Sequence, residues 1–244
     1  HSVVLTEDGL LFKRRAQEIV ALSEKTKRDF IRGNRELSGE IGIGCGEFRS
    51  IQIIAQIMKE FKKEHPFVTF QIYSGNSSNI KERIESGILD IGVILDYVDI
   101  RKYEYVRIPL SEEWGVLVRE DSPLAAMEYV TPEDIRELPL IISERSMRDN
   151  ELADWIGKKY EDLNIVSTYN LMYNAAIMVA NGMGVAGCIK LDCRYEGTRF
   201  VPARPSVKNN SVFAWKKALS QSQAVSSFIE FSRIYIKRIS SNTT

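Results

Sequence analysis

The stretch running from Glu40-Ile41-Gly42-Ile43-Gly44 to Leu89-Asp90-Ile91-Gly92-Val93-Ile94-Leu95 decides the fold. The first run reads as a short strand ending in small residues. The second is apolar along its length, as a strand covered on both faces is. Between them, Ile51, Ile54, Ile57, Met58 and Phe61 recur at helical spacing. His65-Pro66 ends that helix, because proline excludes helical backbone from the residue before it. Phe67-Val68-Thr69-Phe70-Gln71-Ile72-Tyr73 alternates as a strand should. A polar loop over 74–79 and a short helix over 80–86 complete a β-α-β-α-β order. That order implies a parallel sheet with helices on its faces.

Downstream, Trp114-Gly115-Val116-Leu117-Val118-Arg119 and Pro139-Leu140-Ile141-Ile142-Ser143 read as strands, as do 185–189 and 211–215. Thr131-Pro132-Glu133-Asp134 is a helix start, with a cap, proline at the first helical position and acids behind it. Residues 151–160, 173–180 and 224–239 read as helices, the second stopping at Asn181-Gly182.

Upstream, the first 37 residues differ in texture. Thr6 can cap a helix, with Glu7 and Asp8 in its first turn and Leu5 and Leu10 at the two staple positions. The helix runs to about residue 32. Phe12, Ala16, Ile19, Ser23, Thr26 and Phe30 alternate spacings of four and three along it. Such a stripe suits a helical partner on another chain, and Phe12, Ala16, Ile19 and Phe30 are its dimerisation candidates. A terminal helix lying back on its own domain is the alternative.

Composition bounds the function. The 244 residues carry 33 Lys plus Arg and 33 Asp plus Glu, so the formal net charge is zero. No global basic field is present to hold nucleic acid, and any such contact must be local or lie elsewhere. Cys45, Cys188 and Cys193 form no C-x-x-C pair, and His1 and His65 are the two histidines, so no metal site of common type and no cofactor is expected. The odd cysteine count points to a reducing compartment. No apolar run approaches the roughly 18 residues of a membrane span, and Lys13-Arg14-Arg15 breaks any signal-peptide pattern. The expectation is a cytoplasmic protein without membrane contact. No G-x-S-x-G, paired nucleophile and histidine, or phosphate loop emerges, so no enzyme is expected.

The landmarks together resemble those of LysR-type transcriptional regulators. Leu5-Thr6-Glu7-Asp8-Gly9 and the long helix look like the end of the winged helix-turn-helix and the linker helix. Leu37-Ser38-Gly39-Glu40-Ile41-Gly42-Ile43-Gly44, residues 61–66, Gly75, Glu85-Ser86-Gly87-Ile88-Leu89-Asp90-Ile91-Gly92-Val93, Leu138-Pro139-Leu140-Ile141 and Val179-Ala180-Asn181-Gly182-Met183-Gly184-Val185 follow in the family's order. The chain departs at Gly187-Cys188-Ile189, where the family has a leucine-proline ending, and the DNA reader itself is missing. The resemblance implies a type 2 periplasmic-binding-protein-like α/β fold. Its linker would occupy 1–37, subdomain I would hold 38–96 plus 206–240, and subdomain II would hold 97–205, with two crossovers joining them. It also implies a small-molecule effector in the cleft, a dimer or tetramer, and DNA contact through the missing head alone.

Candidate effector residues follow from strand ends and from that resemblance. Cys45, Gly46, Glu47, Phe48 and Arg49 form the first strand-to-helix junction, where small residues and free helix N–H groups admit a ligand. Phe48 lies where family members often carry a ligand-contacting hydroxyl, so an effector with an apolar or aromatic part fits better. A core or cleft plug is the other reading. Ser77 matches a ligand-facing position, though Ser77 or Ser78 could instead cap the helix beginning at Ile80. Asp96 would suit an amine or hydroxyl, or is a solvated turn. Ser143, Arg145 and Ser146 follow the strand over 140–142, where Arg145 with Arg148 could grip a carboxylate or pair on the surface. By the same resemblance Met172 would face that cleft. Cys188 and Cys193 are checked as a thiol pair because some relatives sense oxidants that way. The effector is therefore expected to be a carboxylate, an amino acid or an aromatic metabolite. A solute-binding protein of a transporter, or another non-catalytic binding protein of this fold, is the competing reading.

Overall fold

The computed structural model describes residues 4–30, 37–95, 101–144, 151–217 and 221–241. The expected parallel layer is present. Strand β1 (Gly39–Cys45) lies between β2 (Val68–Ser74) and β3 (Ile91–Leu95), parallel to both. Helices α2 (Ile51–Glu64) and α3 (Ser77–Glu85) are the crossovers. Gly44 is required by this packing: a Cβ there would sit 2.7 Å from Leu89 and 2.8 Å from Ile80, so α3 can close on the sheet only over a bare backbone.

Two long strands carry the chain between units. β4 (Tyr103–Arg119) is 17 residues long, and β9 (Lys208–Lys216) runs antiparallel to it and to β3. The first part of β4, 103–113, belongs to the sheet of β1, β2, β3 and β9. Its second part pairs antiparallel with β7 (Val185–Ile189) and β8 (Thr198–Pro202). β5 (Leu140–Ser143) lies between β7 and β6 (Ile165–Tyr169), parallel to both. Residues 103–113, which the sequence reading assigns to the second unit, thus sit in the first sheet. A register shift between Arg107 and Ser111 interrupts the β4–β9 ladder before it passes between units.

Each sheet is covered on both faces. On the first, α2 and the C-terminal helix α7 (Gln223–Ser241) bury Ile41, Ile43, Ile54, Ile57, Phe61, Phe213 and Phe228, while Ile80 and Ile84 of α3 cover the other face with Leu89 and Ile94. Phe228 meets Phe61 and Phe70 with ring centroids 5.0 Å apart in each pair, in the tilted and edge-on arrangements that aromatic quadrupoles favour. In the second unit the strand period divides the work. Leu140 and Ile142 face one side, with Ile135 of α4 (Pro132–Ile135) and with α5 (Glu151–Ile156), while Ile141 faces the other with Ala175, Ala176 and Val179 of α6 (Met172–Ala180).

Several expectations need correction. The helix read over 151–160 stops at Ile156, because Gly157 takes φ +74° and the chain resumes as a 3-10 turn over Tyr160–Asp162. The helix expected from Ile80 begins three residues earlier, at Ser77. Neither Ser77 nor Ser78 caps it, since the Asn76 side chain accepts from the Asn79 N–H at 2.9 Å. Strands β6, β8 and the first part of β4 went unread, for they carry polar side chains on their solvent faces. Thr6 does cap α1 (Glu7–Phe30), accepting from the Gly9 N–H at 3.1 Å.

α1 is anchored at one end. Lys25 Nζ lies 2.5 Å from Asp90 Oδ1 and also donates to the Gly87 carbonyl at 3.1 Å, while Asp90 Oδ2 accepts the Gly42 N–H at 2.8 Å. Both side chains of this pair are 13% exposed. Nearer its start the helix is bare: Phe12 is 77% exposed and Ile19 69%, while Ala16 is half-buried. The side chain of Phe30 lies outside the described residues.

Candidate functional site

The carboxyl ends of β1, β2, β5, β6 and β7 open onto one cleft, where the two units face each other across β4. Gly46, Glu47, Phe48 and Ser77 of the first unit and Ser143, Tyr169, Asn170, Met172 and Ile189 of the second line it, with Trp114 of β4. Its cavity is about 100 Å³, and it adjoins a larger chamber of about 830 Å³ beneath the 190–197 segment. Met172, Cys188, Ile189 and Leu191 line both spaces.

The expected junction between β1 and α2 is built differently from its sequence reading. The helix start does not offer free N–H groups. Glu112, from β4, accepts the Arg49 N–H at 3.2 Å and the Ser50 N–H at 3.0 Å, one through each carboxylate oxygen. Glu112 is the one charged side chain buried among the described residues. A buried carboxylate needs such donors, and a helix N-terminus supplies both hydrogen bonds and a favourable dipole. Nothing in the sequence marked it, because Glu112-Glu113 reads as a solvated acidic pair.

Glu47 reaches the other way. Its Oε2 accepts the Met172 N–H at 2.5 Å, so a carboxylate of the first unit caps α6 of the second. The α6 N-cap, Leu171, provides no side-chain bond of its own. At the rim, Arg49 Nε and Gln52 Nε2 donate to the two carboxylate oxygens of Asp192 at 2.8 and 2.7 Å. These three bonds clasp the cleft.

The remaining candidates divide clearly. Phe48 is both things the sequence allowed: it lines the cleft and packs against the first core. Its ring lies over Gly46, where an added Cβ would come within 2.3 Å of it. Ser77 is buried in the first turn of α3 and lines the cleft, and Ser143 lines it at the end of β5. Cys45 and Arg49 are not lining residues. Cys45 is buried beneath the cleft, and Arg49 is turned to the rim. Asp96, Arg145 and Ser146 lie outside the described residues. Sequence reasoning missed Trp114, Tyr169 and Asp192. Trp114 and Tyr169 sit where strands reach the cleft, a position readable only once the strands are assigned.

The thiols are separated by environment. Burial pushes Cys45 up to about 12, with the Glu112 charge adding to it, and burial alone pushes Cys188 up to about 12. Cys193 is exposed. Burial and a hydrogen bond to Cys193 raise the Tyr195 hydroxyl. Among the described residues no group of three or more His, Cys, Asp and Glu side chains could hold a metal ion, and no helix is long and apolar enough to cross a membrane. The cleft thus collects hydrogen-bonding groups, aromatic surface and one carboxylate, the means of holding a small molecule.

Comparison with known proteins agrees with this arrangement. Residues 34–235 match the family model of the LysR substrate binding domain. An uncharacterised HTH-type transcriptional regulator of Bacillus subtilis (strain 168), YwqM, is 33% identical over 159 residues, which cover 62% of this chain and 54% of that one. The effector-binding domain of QuiR, solved in complex with shikimate, superposes with a TM-score of 0.71 at 18% identity over 83% of this chain and 99% of that one. CbnR, a LysR family transcriptional regulator, gives 0.72 at 16% identity over 96% and 84%. These likenesses show the fold, the type 2 periplasmic-binding-protein-like architecture. The chain spans 54% and 60% of the length of two of the curated relatives it matches.

Proposed function

Because this chain belongs to the LysR substrate binding domain family, we propose that it is the effector-binding and oligomerisation part of a ligand-responsive transcription regulator. A small molecule enters the cleft between the two α/β units. Binding changes how the units sit against each other, and α1 carries that change to a DNA-binding head outside this chain. A ligand shifts such an equilibrium only by its differential affinity for the two arrangements. The observation that carries this reading is the clasp. Glu47 on Met172, with Arg49 and Gln52 on Asp192, ties the units together at the place a ligand must enter. Gly46, Glu47, Phe48, Ser77, Ser143 and Met172 are the proposed effector contacts. The reading places the protein in the cytoplasm, acting as a binding protein and not as an enzyme.

Self-association belongs to the same proposal. The exposed Phe12 and Ile19 on α1, with Ala16, supply a face for the same helix of a second copy, while Lys25 and Asp90 keep the helix attached to the first unit. Two experiments test the reading. Deleting residues 4–30 gives a monomer by sedimentation velocity; an unchanged oligomer removes α1 from the interface. A thermal-shift screen of small acids, amines and aromatics finds a stabilising ligand, since saturation at about 100 times Kd adds roughly 2.7 kcal/mol. A solute-binding protein would instead show an export signal encoded upstream, and a helix-turn-helix there supports the regulator.

A further inference from the structure

Three helix starts border the cleft: the protein's own carboxylates meet those of α2 and α6, and the Asn76 amide caps that of α3. Glu112 takes the N–H groups of Arg49 and Ser50 at α2, and Glu47 takes that of Met172 at α6. An anionic ligand at α2 or α6 meets a like charge. Two cations near the rim are engaged, Arg49 with Asp192 and Lys190 with Glu113 at 3.4 Å, while Arg194 and Arg199 line the larger chamber beyond. Among the described residues lining the cleft, Glu47 is the one that carries a formal charge, and it stands beside Phe48, Trp114 and Tyr169. Glu112 adds a second negative charge beneath the floor, where it disfavours ionisation of the neighbouring Cys45. Aromatic surface with a carboxylate is the chemistry that receives an organic cation, through an ion pair and the negative faces of the rings.

Resting on the proposed effector cleft, we infer that the ligand is a small cationic amine whose ammonium group is received by Glu47. The expected carboxylate effector gives way to an amine because the one charged side chain among the described lining residues is itself a carboxylate. Glu47 has spare capacity for this role. A carboxylate offers about four lone-pair sites, and the Met172 N–H uses one. The ammonium therefore joins the clasp without breaking it, and the closed arrangement is the one stabilised. A cavity of about 100 Å³ admits such a head group, and the adjoining chamber of about 830 Å³ leaves room for the rest of the molecule.

Isothermal titration of this chain with phenethylamine and with 3-phenylpropionate tests the assignment, since the two differ chiefly in the sign of the head group. The amine is expected to bind saturably and the acid not to bind. Glu47→Gln keeps a carbonyl oxygen for the Met172 N–H but removes the charge, and should weaken the amine roughly tenfold or more. Glu60→Gln, on the exposed side of α2, should leave its affinity unchanged. Asn170→Trp, which fills the cleft from its exposed edge, should abolish binding. Tighter binding of the acid than of the amine, lost in Asn170→Trp, overturns the cationic class and leaves the effector cleft standing. Amine binding that Glu47→Gln does not weaken overturns the role of Glu47. Amine binding that persists in Asn170→Trp removes the ligand from the cleft. Failure of both compounds to bind overturns the class, and failure of the whole thermal-shift screen as well overturns the cleft reading.

Discussion

The starts of α2 and α6 pose one physical problem and receive two solutions. Each helix exposes unpaired N–H groups toward the cleft, and each is met by a carboxylate from another part of the chain. Glu112 does this from within the fold, 0% exposed, through both oxygens and onto two donors. Glu47 does it across the cleft, from an exposed position, through one oxygen onto one donor. The first arrangement cannot exchange with water and is part of the structure's stability. The second can exchange, so it is a contact that a ligand or an opening motion can use. Burial, more than the identity of the residue, separates a structural acid from a responsive one.

The contrast is broken most directly at Glu112. Glu112→Ala leaves one buried and one partly buried N–H group without acceptors and should lower the unfolding free energy by about 3 kcal/mol in urea denaturation. A loss near zero would mean that water reaches the α2 start, and the distinction would collapse. Asp90 is the intermediate case, largely buried and shared between the Gly42 N–H and the Lys25 ammonium. Asp90→Ala should cost about 2 kcal/mol and also free α1. Hydrogen exchange should then rise in α1 more than in α2, whereas uniform exchange would deny the anchor. Glu47→Ala should cost less than about 1 kcal/mol, because it removes one exposed cap. Small-angle scattering is the sharper measure there, with a more open cleft expected and an unchanged profile counting against the clasp.

The thiols extend the comparison with the least disturbance to the fold. At pH 8 a thiol reagent should label Cys193 alone in the native chain and all three cysteines after denaturation. Cys45 and Cys188 are raised from 9.0 to about 12. Their contribution to stability is therefore complete below about pH 9, the unfolded value, and is lost as pH rises toward 12. A Cys45→Ala, Cys188→Ala variant should show a flatter decline over that window in denaturation at fixed temperature; an equal decline would trace the effect to other groups.

Much of the architecture was legible because apolar periodicity is local. Ile54, Ile57 and Phe61 mark α2 by spacing, and Ile91, Val93 and Leu95 mark a strand covered on both sides. Two local boundaries differ from their reading: Gly157 stops α5 early through its positive φ, and Asn76 takes the cap that Ser77 or Ser78 could have provided. The site was legible in part. Strand ends together with the family resemblance placed Glu47, Phe48, Ser77 and Met172 near one another, while nothing adjacent to Trp114, Tyr169 and Asp192 in sequence shows what faces them.

By itself the sequence determined a β-α-β-α-β layer, the helical stripe of α1, a capping threonine at its start and the absence of net charge. These depend on spacings of two, three and four residues, and such patterns act through neighbours along the chain. The tertiary structure alone decided that β4 spans both sheets, that α1 is pinned through Lys25 and Asp90, and that carboxylates meet the starts of α2 and α6 beside the cleft. Each of those facts joins groups far apart in sequence. Whether a carboxylate is solvated, capping a helix or waiting for a ligand depends on the donors and burial around it, and only folding brings those together.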